Sequence, residues 1–236
     1  MKTPAFWSPA KAITAKEEQQ SLPVVIGRTI WENSPILIAI DIVIAIASLP
    51  ALLVAGFGGA VVAPLLFAVT AGPVGVATLA AANAMLEGEA VSIGRFAALL
   101  RKSARTGCVL ALVPGVVASL MIGTLTLAGD EQYRWMLAPA IIDGIVLSGM
   151  LITGVGAVWL VSRGAALDRA LLRHAAILAG SAPQAIGGII AMAVLIGLSV
   201  HVIGPLMAIV LAGPFGVFVS ATMRWIVENR RISVDA

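Results

Sequence analysis

Six long apolar runs, flanked by basic residues on one side only, leave this chain a single kind of solvent. The runs lie at about 35–57, 60–86, 107–128, 137–162, 183–203 and 205–223, and each is close to the roughly 20 residues that a helix needs to cross a ~30 Å hydrocarbon core. Fourteen of the fifteen Lys and Arg residues fall on one side of them. Lys2, Lys11, Lys16 and Arg28 precede the first run, and Arg95, Arg101, Lys102 and Arg105 precede the third. Arg163, Arg169 and Arg173 follow the fourth, Arg224, Arg230 and Arg231 follow the sixth, and Arg134 alone belongs to the opposite side. Under the positive-inside rule this pattern predicts an all-α, polytopic membrane protein of six transmembrane helices with both termini in the cytoplasm.

Composition agrees, because a chain that is 60% hydrophobic and 11% charged has too few polar residues to cover a soluble globule. Its net charge of +3 sits beside the ends of the runs, where anionic headgroups attract it. Membrane lipid is therefore the expected partner of the basic residues, and nucleic acid is not. Cys108 is the single cysteine, which excludes an internal disulfide and a thiolate metal site. The chain has no His-Glu-x-x-His helix, no Gly-x-Ser-x-Gly elbow and no phosphate-binding glycine loop ending in Lys-Ser/Thr. No catalytic set, cofactor or metal is expected, and the chain does not read as an enzyme.

Residues 1–20 predict a flexible cytoplasmic tail, and 21–236 a single transmembrane domain. The polar stretch ahead of the first run is too long for a cleaved secretory signal. The outer turns are short: Gly56 to Gly59, Gly129 to Trp135, and Gly204-Pro205. Three tight helical hairpins follow from them. The inner connections, about 91–105 and 163–178, are longer and amphipathic. Ile93, Phe96, Ala97, Leu100 and Ala104 gather on one face of the first, and Leu167, Leu171 and Leu178 form a stripe on the second. Both are expected to lie in the cytoplasmic interface with the apolar face toward lipid, or else to dock onto a cytoplasmic partner. His174, on the apolar side of the second, is expected to pack rather than to ligate.

A repeat links the first hairpin to the third. Pro64-Leu65, Val69, Ala71-Gly72-Pro73, Gly75-Val76 and Glu87 recur as Pro205-Leu206, Val210, Ala212-Gly213-Pro214, Gly216-Val217 and Glu228, at a constant offset of 141 residues. Each copy places proline in mid-span, where a backbone bond is lost, so Gly72-Pro73 and Gly213-Pro214 are predicted kinks. They serve either close helix contact or, as broken helices, a solute path lined by freed carbonyls. In the third span Gly107, Ala111, Gly115, Ser119 and Gly123 stand at strict four-residue spacing. Such a ridge admits another helix closely, whether from this chain or from another.

Ionisable residues within spans are costly and face a bundle interior or a water-filled cavity. Asp41 lies about six residues, or ~9 Å, from the inner end of its span, with Asn83 as the expected partner at that depth. Asp143 lies similarly far from the outer end, with His201 as its expected partner. The two aspartates are separated in depth by roughly 12 Å across a ~30 Å core, too far to share a proton as a catalytic dyad. They read as structural clamps or as sites of solute or proton handling. Trp135 at the outer boundary, with Trp31, Trp159 and Trp225 at the inner one, predicts an aromatic belt.

The run Thr70-Ala71-Gly72-Pro73, an alanine-rich half-span, Leu86-Glu87-Gly88-Glu89, Arg95-Phe96 and Arg101-Lys102 resembles the YesL-like family of small bacterial membrane proteins, as do Trp31, Asn33 and Pro50. The resemblance covers about residues 25–125. It implies a bacterial inner-membrane location and a role in or beside carbohydrate ABC-type uptake, and it supplies no catalytic residues. The expected function is a non-catalytic accessory, assembly or regulatory subunit with a membrane-protein partner or a homo-oligomeric state. The alternative is a small-solute transporter or channel built on the second and sixth spans.

Overall fold

Lipid offers backbone N–H and C=O groups no partners, so apolar runs of this length must satisfy them internally, and helices do so. A computed structural model describes residues 21–203 and 206–230, and every regular element among the described residues is helical. The 1–20 tail, the Gly204-Pro205 turn and residues 231–236 lie outside the described residues. The helices are α1 (Leu22–Glu32), α2 (Ser34–Gly56), α3 (Ala63–Leu86), α4 (Ile93–Ala128), α5 (Leu137–Ser162), α6 (Arg169–Ser181), α7 (Pro183–Ile203) and α8 (Leu206–Arg230). A 3-10 segment, Glu131–Met136, leads into α5.

By length and hydropathy α2, α3, α4, α8 and α5 with its 3-10 segment are each able to cross a membrane. A sixth span arises if α6 and α7, which meet at a bend of 92°, are taken together. The hairpins α2–α3, α4–α5 and α7–α8 pack as pairs, and α3 is the hub, touching α2, α4, α5 and α8. Its second half carries Ala77, Ala81 and Ala82, all buried. Methyl-sized side chains let several neighbours close on one helix at once, which fits the hub position.

Two apolar clusters hold the bundle together. One joins Leu37 and Ile40 of α2 to Val74 and Ala81 of α3, Phe96 of α4 and Val217 of α8. The other joins Trp159 and Leu160 of α5 to Leu171 and Leu178 of α6 and Met223 and Ile226 of α8.

The amphipathic connectors differ from expectation in instructive ways. The 91–105 segment is not a separate interfacial helix, because α4 runs unbroken for 36 residues from an N-cap at Ser92, about 54 Å at 1.5 Å per residue. Nothing at Arg105-Thr106-Gly107 stops a helix. A lone glycine costs only about 1 kcal/mol relative to alanine, and here it is retained for a contact with α3. The apolar face is also divided, since Phe96 is 4% exposed within the bundle while Ile93 is 69% exposed.

The second connector begins with a loop at 163–168, and α6 starts after Asp168, whose carboxylate accepts the Leu171 N–H at 2.7 Å. Leu171, Ala175 and Leu178 are buried against protein and not turned to lipid, whereas Leu167 is exposed. The apolar surface of Trp159, Met223 and Ile226 at the basic end of the bundle is what the stripe covers. The right-angled exit into α7 falls at Ala182-Pro183, as expected where proline disfavours helix in the residue before it.

Two further corrections concern helix ends and prolines. Helix α1, ahead of the first span, has no counterpart among the predicted elements. It is a short amphipathic helix with Pro23 in its first turn, and it packs on α8. At Pro73 and Pro214 the helices are not broken, since α3 and α8 continue through both.

Candidate functional site

The ridge on α4 is used within the chain. A Cβ on Gly107 would stand 2.6 Å from Pro73 Cα and 2.9 Å from the Gly72 carbonyl oxygen, and one on Gly72 would stand 2.6 Å from Ala111 Cβ. Further along, a Cβ on Gly115 would lie 3.0 Å from Ala68 Cβ and 3.1 Å from the Pro64 carbonyl, and one on Gly123 would lie 3.8 Å from Val61. Helix α3 thus presents Pro64, Ala68 and Gly72, again at four-residue spacing, to Gly107, Ala111, Gly115, Ser119 and Gly123 of α4. Ser119 is buried along this ridge.

The same seam accounts for the unbroken helix at Pro73. Proline has no N–H to offer the carbonyl four residues earlier, that of Val69. The Cys108 thiol donates to that carbonyl at 3.3 Å. One turn away the Ser103 hydroxyl lies 3.2 Å from the Pro73 carbonyl. A side chain of α4 therefore takes up the carbonyl of α3 that Pro73 leaves without a backbone donor.

Among the described residues Asp41 is the most deeply placed charge-bearing one, at 2% exposure. Its carboxylate accepts the backbone N–H of Gly213 in α8. The approach is close there, since a Cβ on Gly213 would stand 3.1 Å from Asp41 Oδ1 and 3.2 Å from the Leu37 carbonyl. Gly72 and Gly213 are thus both points of close approach, the first against α4 and the second against α2. Helices α3 and α8 also touch directly: a Cβ on Gly216 would come 2.8 Å from Thr78 Cγ2, and the Ser220 hydroxyl donates to the Leu79 carbonyl at 3.4 Å.

Asn83 does not pair with Asp41. Its amide donates to Ser162 Oγ at 2.8 Å, and its oxygen accepts the Trp159 indole N–H at 3.2 Å. Asp41 faces α8, whereas Asn83 faces α5, and similar depth on two helices does not make their side chains meet. Trp159 is consequently no belt residue: it is 2% exposed, while Trp31 is 82% exposed. A buried indole needs a partner for its N–H, and the in-span Asn supplies one.

Charged groups gather around this triad at the basic end. Helices α3 and α5 finish in the same manner, with Gly88 (φ 76°) and Gly164 (φ 96°) in the left-handed region that a residue with a Cβ rarely adopts. The N–H after each glycine reaches back to its helix, Glu89 to Ala84 at 2.9 Å and Ala165 to Leu160 at 3.1 Å. These turns set Glu87 and Arg163 side by side, their charged atoms 3.5 Å apart, with the guanidinium 5.2 Å from the centre of the Trp159 ring. Burial pushes the Arg163 pKa below its usual value, and the nearby Glu87 carboxylate works against that shift. Arg224 pairs with Glu228 at 2.8 Å and donates to the Leu86 carbonyl at 3.4 Å, satisfying one of the last carbonyls of α3.

Asp143 is half-buried on α5, between the exposed side chains of Ile142 and Ile145. The His201 side chain, its expected partner, lies outside the described residues. His174 is half-buried on α6, with Nδ1 2.7 Å from the Ala170 carbonyl, a contact within its own helix.

The described chain is therefore an all-helical protein with five or six helices able to cross a membrane, clasped to one another by buried polar groups. No family model matches it, and neither does any curated protein or solved structure.

Proposed function

We propose that the protein is a non-catalytic accessory, assembly or regulatory subunit of a bacterial membrane complex, crossing the cytoplasmic membrane six times with both termini inside. What supports this reading is the use to which the in-span polar groups are put. Asp41, Asn83, Ser103 and Cys108 each bond a neighbouring helix, so their chemistry is engaged in holding the bundle. The resemblance of residues 25–125 to the YesL-like family directs the search for a partner toward carbohydrate ABC-type uptake. Purification of the full chain from native membranes in a mild detergent is expected to bring a membrane-protein partner with it in fixed ratio. A chain that purifies alone and moves a solute in proteoliposomes would overturn the proposal.

Topology is testable separately. Reporter fusions after Gly58 and Arg134 are expected to report the outer side, and fusions after Arg101, Arg169 and the C-terminus the cytoplasm. A cytoplasmic signal at Arg134 defeats the six-span arrangement.

The transporter reading retains one observation in its favour, the half-buried carboxyl of Asp143 within a membrane-crossing helix. As a structural group, Asp143 is expected to tolerate Asp143→Asn, because the amide keeps its hydrogen-bonding capacity and removes a charge from the membrane. Unchanged thermal stability and partner binding in this variant are the anticipated result. Loss of a solute-uptake phenotype in well-folded Asp143→Asn, with Asp143→Glu retaining it, favours transport instead.

A further inference from the structure

We propose that the cleft between α3, α4 and the end of α5 binds a phosphate group, held by the Lys102 ammonium and the Thr106 hydroxyl. The cleft has a volume of about 140 Å³. A water occupies roughly 30 Å³ of liquid, so the space admits a phosphate and part of its hydration shell. Lys102 and Thr106 stand one helical turn apart on α4 and both line it, with Ser103 and Ser162 beside them and Val76 and Leu99 among its apolar walls.

The donors in this cleft are not equally engaged. Ser103 donates to the Pro73 carbonyl and Ser162 to the Trp159 carbonyl, at 3.2 Å and 2.6 Å. Hydroxyls elsewhere in the spans turn back to the carbonyl four residues earlier, as in Thr70, Thr78, Thr126 and Ser148. Thr106 makes no such bond, and Lys102 has no ion-pair partner among the described residues. An ammonium with no ion-pair partner and a hydroxyl with no acceptor among the described residues thus open onto one space that no acidic side chain lines among them.

That donor set suits a tetrahedral oxyanion. Lys is a compact point charge with rotatable donors that can turn toward a tetrahedral anion. The neighbouring Arg101 and Arg105 add positive potential without lining the cleft. A phosphate arrives here either on a lipid headgroup or as the free ion, and the chemistry of capture is the same.

The test uses the full chain in a neutral detergent, titrated calorimetrically with sodium phosphate and, separately, with dihexanoyl phosphatidylglycerol. Saturable binding of at least one probe is expected, weakened about 10-fold or more by Lys102→Gln, the usual effect of losing a charge-assisted contact. Thr106→Val, which keeps the side-chain shape, is expected to weaken it several-fold, and Arg101→Gln, which removes only neighbouring potential, to weaken it clearly less than Lys102→Gln. Binding of the lipid alone identifies a headgroup site, and binding of both identifies a site for phosphate as such. Absence of saturable binding, equal affinity in Lys102→Gln, or an equal loss in Arg101→Gln overturns the proposal. Thermal unfolding of each unliganded variant separates loss of binding from loss of fold, and Thr106→Val decides the matter if Lys102→Gln is itself unstable.

Discussion

Gly107→Ala is expected to destabilise the protein, although the same exchange in an unhindered helix stabilises it by about 1 kcal/mol. The added methyl would stand 2.6 Å from Pro73 Cα and 2.9 Å from both Pro73 N and the Gly72 carbonyl. All three are backbone atoms, so no rotamer change relieves the clash and α3 must move away from α4. Overpacking of this kind costs roughly 1–3 kcal/mol. The displacement would also pull Cys108 and Ser103 from the carbonyls they bond on α3. Gly149→Ala provides the matched control, because its Cβ would meet nothing within 4 Å. In detergent, Gly107→Ala should unfold at lower temperature than the parent, while Gly149→Ala should match or exceed it. Equal behaviour of the two would show that the α3–α4 seam is not closed as described.

Asp41→Leu is expected to be the most damaging single change in α2, and Asp41→Asn a mild one. With leucine, the Gly213 N–H loses its acceptor in a buried, apolar setting, which costs about 1–3 kcal/mol. Leucine also branches where Gly213 and Leu37 leave little space, since even a methyl on Gly213 would lie 3.1 Å from the carboxylate. Asparagine keeps an oxygen able to accept the same N–H. Thermal unfolding with the ordering parent, Asn, then Leu is the predicted series. A Leu variant as stable as the parent would mean that the α2–α8 clasp contributes nothing.

These two residues show how much of the site was legible in advance. Small residues at 107, 111, 115, 119 and 123 announced a close contact because spacing along one helix face is a property of consecutive residues. They did not say which helix would come, and α3 is the answer only because its own Pro64, Ala68 and Gly72 face them. Asp41 and Asn83 were conspicuous because polar groups in lipid are costly. Their partners were not conspicuous. Asp41 bonds a backbone N–H at a sequence separation of 172 residues, and a backbone donor has no residue type to betray it. Trp159 resembled any other boundary tryptophan until α5 turned it inward onto Asn83.

The connectors divide along the same line. Amphipathicity of the 91–105 and 163–178 segments was apparent from a 3.6-residue period, and helices do cover most of both. Periodicity identifies the apolar face but not what covers it. Lipid was one cover for Leu171 and Leu178, and the apolar ends of α5 and α8 proved to be the other. Continuity of α4 was equally undetermined locally, because Gly107 weakens a helix slightly in isolation and is retained by its contact with Pro73.

Hydropathy and charge act residue by residue along the chain. The sequence alone therefore determined the all-helical class, the lengths of the apolar runs and the side of them on which the basic residues lie. Rotation of each helix about its own axis is decided by packing against neighbours, each residue turning the face by 100°. Only the tertiary structure therefore settled which of Asp41, Asn83, Trp159 and the α4 ridge meet which partners.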